Sequence, residues 1–209
     1  MTRPILYSFR RCPYAMRARL AIASSGLRPE HREILLRDKA PEFLEASPKG
    51  TVPVVVDDGA IIEESLEVMH WALAQNDPEN LLNMSSEGDA LIEENDTSFK
   101  KALDRTKYFS RVGSDPEVER RNAQVFLDKL GQQLEGRDFL FGTRPTLADL
   151  AILPFIRQFA HIDRGRFDSD APIAVRSWLD RFLASDRFTQ IMSKYPKWTN
   201  GDEVTVFLQ

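Results

Sequence analysis

Ile5-Leu6-Tyr7-Ser8, Phe9-Arg10-Arg11, Cys12-Pro13-Tyr14-Ala15-Met16-Arg17-Ala18-Arg19-Leu20-Ala21-Ile22-Ala23: these nineteen residues decide the fold. The first four form a short apolar run of strand character, and the next three a turn. The remaining twelve are alanine-rich and favour a helix. Pro13 suits the first helical position, where its missing N–H would have no partner in any case. Gly26 is a natural stop. Glu30 to Leu36 then alternates, with Ile34 and Leu36 on one face, and reads as a second strand. A strand–helix–strand unit of this length implies a parallel pair joined by a crossover. Downstream, Pro41 to Ala46 reads as a short helix and Val52-Pro53-Val54-Val55-Val56 as a third strand. Asp57-Asp58-Gly59 makes a hairpin turn into Ile61-Ile62. A helix then starts at Glu64-Ser65 and runs to about Gln75. The expected product is one small mixed sheet with helices on its faces.

Beyond this unit Asn76-Asp77-Pro78-Glu79-Asn80 is a polar, proline-containing break. The pattern after it is helical, with helices predicted at about 86–107, 116–135, 146–161, 173–184 and 185–193. The expected division is an α/β domain over 1–77, a linker over 78–85 and an all-helical domain over 86–209. The 209 residues are 42% hydrophobic and 29% charged, enough apolar chain for a core without a metal or disulfide. A single cysteine excludes a disulfide framework, and with three histidines it leaves no basis for a metal cluster. The net charge is −4, and neither half of the chain is basic, so phosphate-driven nucleic-acid binding is disfavoured. No apolar run approaches the roughly 18 residues of a membrane span, and the first residues lack an apolar leader. A cytoplasmic location, with no membrane or nucleic-acid partner, is the expectation.

Three places carry possible chemistry. The lone Cys12 falls where a strand turns into a helix. Unpaired N–H groups at the helix start and the nearby Arg10, Arg11 and Arg17 would favour its thiolate, the nucleophilic form; a buried cysteine acting as a small hydrophobe is the bland alternative. Ala15 stands where a dithiol motif would keep its resolving cysteine, so a thiolate here needs an external thiol. Val52-Pro53 opens a valine-rich strand although proline removes a ladder donor. A trans proline at a strand start is the ordinary expectation; a cis bond would turn the Val52 backbone outward, able to pair with an extended peptide. Glu64-Ser65 at a helix start reads first as a cap, and otherwise as a carboxylate site on the helix N-terminus with Glu64 beside an ammonium.

Taken in order, Cys12-Pro13-Tyr14-Ala15, Gly50-Thr51-Val52-Pro53-Val54, Glu64-Ser65 and Thr146-Leu147-Ala148-Asp149 resemble the cytosolic glutathione S-transferase superfamily over essentially the whole chain, in its cysteine-type, omega-like, bacterial form. The resemblance implies an α/β thioredoxin-like N-terminal domain (βαβ-α-ββα) followed by an all-α helical bundle. It implies glutathione as co-substrate with no further cofactor or metal, and Cys12 as the catalytic nucleophile. Tyr14, Lys39, Val52, Pro53, Glu64 and Ser65 would hold the tripeptide. Tyr108, Phe109 and Arg111 would border a second substrate, hydrophobic or disulfide. Tyr7, where some classes keep a catalytic tyrosine, competes with Cys12, although a core aromatic is the simpler view of it. The implied activity is glutathione-dependent thiol transfer or reduction, of the deglutathionylating or dehydroascorbate type. Conjugation of glutathione to hydrophobic electrophiles and a non-catalytic interaction role, as in starvation proteins of this fold, are the alternatives. A homodimer is implied. The C-terminal stretch from Tyr195 either packs back on the protein or covers the second-substrate site.

Overall fold

A computed structural model describes residues 3–208. The strands are β1 (Ile5–Ser8), β2 (Glu30–Glu33), β3 (Val54–Asp57) and β4 (Ala60–Ile62). They form one sheet in the order β2-β1-β3-β4, with β1 and β2 parallel and the other two pairings antiparallel. Helix α1 (Pro13–Ser25) makes the crossover, α2 (Pro41–Ala46) precedes β3, and α3 (Ser65–Gln75) follows β4. This is the thioredoxin-like order expected from the sequence. Pro13 occupies the first turn of α1, and Gly26, at φ 75°, closes it with its N–H on the Ala23 carbonyl. A side chain at that left-handed position would strain the backbone. Ala15, Ala18 and Ala21 are fully buried, small enough for α1 to pack closely on the sheet and on α3.

Period-two alternation sorts the sheet's side chains. Leu6 and Ser8 lie opposite His31 and Glu33, whereas Tyr7 lies opposite Arg32 on one side and Val54 on the other. Tyr7, Ala15, Ile34, Phe43, Val52, Val54 and Trp198 form a buried cluster, and Cys12 packs against it.

The helical part comprises α4 (Ser86–Glu94), a π-helical turn (Asn95–Phe99), α5 (Lys100–Lys107), α6 (Phe109–Val112), α7 (Pro116–Gln133), α8 (Leu147–Ala160), α9 (Arg164–Asp170) and α10 (Ile173–Leu183). Helix α8 is buried on nearly every side, as its almost uninterrupted apolar sequence requires. Around it Phe99 meets Phe126 and Phe159 with ring centroids 5.0 and 5.6 Å apart.

Several elements differ from the sequence expectation. β2 stops at Glu33; Ile34 is buried, but Leu36 lies 40% exposed and does not share its face. β3 begins at Val54, after Pro53, which has no N–H to give the ladder. The Val52–Pro53 bond is cis, not the trans form that strand statistics favour. The segment 86–107 is interrupted by the π-helical turn, and α9 was not anticipated; Asp163 caps it by accepting from the Arg166 N–H at 3.0 Å.

The compact units also divide differently from 1–77 and 86–209. One holds the chain up to Glu79 together with everything from Ser185 on, and the other holds Asn80–Ala184. The last helix, α11 (Asp186–Ile191), packs on α1. Residues 195–208 line the outer edge of β2 through the Trp198 N–H to the Glu33 carbonyl (2.9 Å), the His31 N–H to Thr205 (2.7 Å) and the Phe207 N–H to Pro29 (3.0 Å). An edge strand offers just such a row of unpaired groups.

Candidate functional site

Cys12 is the N-cap residue of α1, half-buried, at φ −77° and ψ 125°. Its side chain does not cap the helix, and its Sγ lies 3.8 Å from the Val52 carbonyl oxygen. The sulfur therefore sits at the positive end of a 13-residue helix and beside the backbone of the loop before β3. The three arginines expected to favour its thiolate have other partners. The Arg10 guanidinium reaches the Met192 carbonyl at 3.4 Å, Arg11 lies over the Phe9 ring at 5.4 Å, and buried Arg17 donates from Nε to Ser65 Oγ at 2.9 Å. The helix N-terminus is one influence at the sulfur that favours an anion.

The loop carrying Val52 is drawn close by Gly50. Its φ is +62°, and a Cβ there would stand 2.8 Å from Lys39 Nζ. Lys39 thus lies against the same loop as Val52 and Pro53, so these three expected glutathione contacts come together. Tyr14 is half-buried on the first turn of α1, with the Arg17 guanidinium 5.4 Å from its ring centroid.

Glu64 and Ser65 stand at the start of α3, but not as a cap. Glu64 occupies the N-cap position and makes no side-chain bond to the helix. Its carboxylate is 68% exposed and meets Lys49 Nζ at 3.3 Å. Ser65 is buried, and its hydroxyl accepts from Arg17. The local capping preference has lost to two tertiary partners. Lys49, which also lies 3.8 Å from Glu63, and Ser47, which donates to Glu63 at 2.6 Å, were not anticipated. The hydrogen bond to Glu64 and the two acidic neighbours raise the Lys49 pKa. Lys49 lies 15 positions from Glu64, so no local pattern announced this cluster. One consequence is testable: Ser65→Ala removes a buried acceptor of Arg17 and is expected to cost about 1–3 kcal/mol in urea unfolding, whereas Glu64→Ala should change stability by less than about 0.5 kcal/mol.

Tyr7 is a core residue. It is 3% exposed, tilted against Phe43 at 5.3 Å and edge-on to Trp198 at 6.0 Å, and its hydroxyl accepts from Arg32 at 2.7 Å. Burial pushes its phenol above the ordinary value despite the Arg32 charge. Tyr108, Phe109 and Arg111 cluster at the α5–α6 junction, where the Arg111 and Lys107 cations lie 5.5 and 5.0 Å from the Tyr108 centroid and Phe109 is 47% exposed. None of the three lines the cavities of about 370 and 430 Å³ in this helical unit, the first bordered by Arg120, Leu127, Phe159 and Phe167 and the second by Ala102, Arg105 and Glu119. Among the described residues no cluster could hold a metal, and no helix is long and apolar enough to cross a membrane.

The sequence and the fold have parallels in known proteins. Residues 6–81 match the glutathione S-transferase N-terminal domain family, and residues 118–181 the glutathione S-transferase C-terminal domain family. A probable glutathione transferase of Aplysia californica is 44% identical over 57 residues, 27% of this chain; the chain spans less than two thirds of that relative, 62% of its length. A glutathione transferase family member of Pseudomonas fluorescens, solved with two glutathiones bound, superposes with a TM-score of 0.78 at 22% identity over 90% of this chain and 92% of its own. Glutathione transferase Omega 3C of Trametes versicolor gives 0.77 at 19% identity over 94% and 91%. With one family's two domains matched in order, and the same fold in both solved structures, the chain belongs to the cytosolic glutathione S-transferase superfamily.

Proposed function

We propose that the protein is a glutathione-dependent thiol transferase whose nucleophile is Cys12. The observation that carries this is the half-buried sulfur at the start of α1, 3.8 Å from the Val52 carbonyl. Glutathione lies extended along the Val52 backbone, its γ-glutamyl carboxylate at the N-terminus of α3 beside Ser65 and its ammonium at Glu64. Lys39, held over Gly50, faces the rest of the tripeptide. A helix N-terminus suits a carboxylate because its first N–H groups have no intrahelical partner.

The chemistry is two thiol–disulfide exchanges. The Cys12 thiolate attacks the glutathionyl sulfur of a mixed disulfide; the Cys12–glutathione bond forms as the old S–S bond breaks, and the substrate leaves as its thiolate. A second glutathione thiolate then attacks that bond, releasing oxidised glutathione and restoring the Cys12 thiolate. The net change is one exchange: the mixed disulfide and one glutathione thiolate become the substrate thiolate and oxidised glutathione, with Cys12 returned as it began. Each attack is fastest for a thiol whose pKa lies near ambient pH, and the end of α1 moves Cys12 in that direction.

Conjugation to an electrophile is the second reading, favoured by the relative named as a probable glutathione transferase. It needs a hydroxyl to hold the glutathione thiolate. Tyr7, the hydroxyl weighed for that role, is buried in the core cluster with its oxygen accepting from Arg32. Tyr7→Phe is therefore expected to leave glutathione-dependent disulfide reduction within about twofold of wild type and to cost about 1 kcal/mol of stability for the lost hydrogen bond. A steady-state assay in which Tyr7→Phe loses activity while Cys12→Ser keeps it would replace thiol transfer with conjugation. Expected partners are a second copy of the chain and a small second substrate.

A further inference from the structure

The C-terminal segment 195–208 is fixed to the outer edge of β2 around one buried imidazole. His31 is 2% exposed, 4.1 Å from the Tyr195 ring and stacked on Phe207 at 5.6 Å and 22°. Its Nε2 lies 3.0 Å from Glu33 Oε2 and 3.2 Å from Arg19 Nη2, while its Nδ1 is buried with no hydrogen-bond partner. Arg19, fully buried on α1, also pairs with Glu33, donates to Ser8 Oγ at 2.7 Å and to the Ile191 carbonyl at 3.0 Å, and lies 5.9 Å from the Tyr195 and Phe207 rings. Glu33 accepts in addition from the Arg10 N–H at 2.7 Å. The strap closes on itself through the Leu208 N–H to the Tyr195 hydroxyl at 3.0 Å, and Lys197 pairs with Asp38 at its rim.

We propose that residues 195–208 form a latch held by neutral His31 and opened by its protonation. The groups facing the imidazole are one carboxylate, Glu33, one guanidinium, Arg19, and the phenol-bearing Tyr195 ring. The single carboxylate is already shared by Arg19 and the Arg10 N–H. A protonated His31 sets a second cation beside Arg19 and places a new N–H at Nδ1, where no acceptor stands. A buried donor without an acceptor and an unbalanced buried charge are both costly. Peeling the strap from β2 relieves both, because it hydrates the ring. Burial already holds the His31 pKa below its ordinary value, in agreement with the packing. Opening has a consequence for the thiol site: Trp198, which lies 4.2 Å from the Arg32 guanidinium, leaves the cluster against which Cys12 packs.

The sign follows from linkage. A histidine with an ordinary pKa of about 6.5 when released, and a lower one when latched, binds more protons in the open form, so opening grows as pH falls. Between pH 7.5 and 5.0 the open population rises by up to about thirtyfold. Native-state hydrogen exchange on the full chain, corrected for intrinsic rates, tests this at the Trp198, Phe207 and His31 amides, with Leu6 of β1 as control. A ten- to thirtyfold loss of protection at the three strap amides, with Leu6 unchanged and the loss absent in His31→Gln, is expected. His31→Phe, which keeps the ring stack and cannot be protonated, is the second variant and should behave the same. Protection that changes less than threefold in wild type, an equal change at Leu6, or a pH response that survives in both variants overturns the latch. The readout does not require activity and is independent of the thiol-transfer reading.

Discussion

Cys12→Ser is expected to reduce glutathione-dependent reduction of a small mixed disulfide by at least about 10²-fold, roughly 2.7 kcal/mol of barrier. The residue keeps its place and nearly its size, and its side chain caps nothing in the native protein, so the fold survives. What is lost is the nucleophile. A helix N-terminus stabilises an anion by about 0.3–1 kcal/mol at the surface and up to about 2 when partly buried. That is about 0.2–0.7 of a pKa unit at the surface and up to about 1.5 when partly buried, at 1.36 kcal/mol per unit. It is enough to move a thiol from about 8.5 towards neutrality, and far too little to ionise an alcohol. Serine therefore has no anion to offer. Intact-protein mass measurement supplies an independent reading: wild type incubated with a glutathionyl disulfide should gain one glutathionyl group, and Cys12→Ser none. More than a tenth of wild-type activity in the variant, with no adduct on wild type, would move the chemistry away from Cys12.

How much of this was legible in the sequence depended on whether the deciding interaction was local. The β1-α1-β2 crossover was readable because each of its signals acts within a few residues: alanines that favour helix, Pro13 at its first turn, Gly26 at its end. The end of β2 was not. Alternation continued to Leu36, but the strand stops where the ladder with β1 runs out at Ser8–Glu33. The β2 edge is closed by residues 195–208, more than 160 positions away, and nothing in the local pattern announces that.

The candidate site divides in the same way. Cys12 at a helix start, Val52-Pro53 before β3 and Glu64-Ser65 at α3 were all placed by their order, and the structure brings Cys12 and Val52 within van der Waals reach. The partners were hidden. Arg17 was read as a charge acting on Cys12, yet its guanidinium spans 48 positions to Ser65. Lys49 had no reading at all, although it meets Glu64 across 15 positions. In each case a buried or close tertiary contact outweighed a local tendency worth about 1 kcal/mol, the size of a cap. Helix α9 was missed for a related reason: it lies wholly between the helices predicted at 146–161 and 173–184, and the Asp163 cap and the buried Phe167 hold it there.

The largest loss of stability is expected from Asp149→Ala, about 3–5 kcal/mol. Asp149 is fully buried at the start of α8 and forms a capping box with Thr146. Its Oδ2 accepts the Thr146 N–H at 2.8 Å and hydroxyl at 3.0 Å; its Oδ1 accepts the Leu140 N–H at 3.0 Å and the Trp178 indole N–H at 3.1 Å. One carboxylate thus serves the N-terminus of the central helix, the loop before it and the indole of α10. Alanine removes both acceptors and strands three N–H groups that cannot rotate away, each costing about 1–3 kcal/mol when buried. The thermal midpoint should fall by roughly 6–20 °C, given about 2–4 °C per kcal/mol for a chain of this size. Two controls separate the carboxylate from its partners. Trp178→Phe removes one donor and leaves the acceptor served by three others, so it should cost much less than Asp149→Ala. Asp149→Asn keeps one oxygen and turns an amide against the Thr146 N–H, so it should fall between the two. If Asp149→Ala unfolds within about 1 kcal/mol of wild type, the four bonds to the carboxylate are not what hold α8 in place.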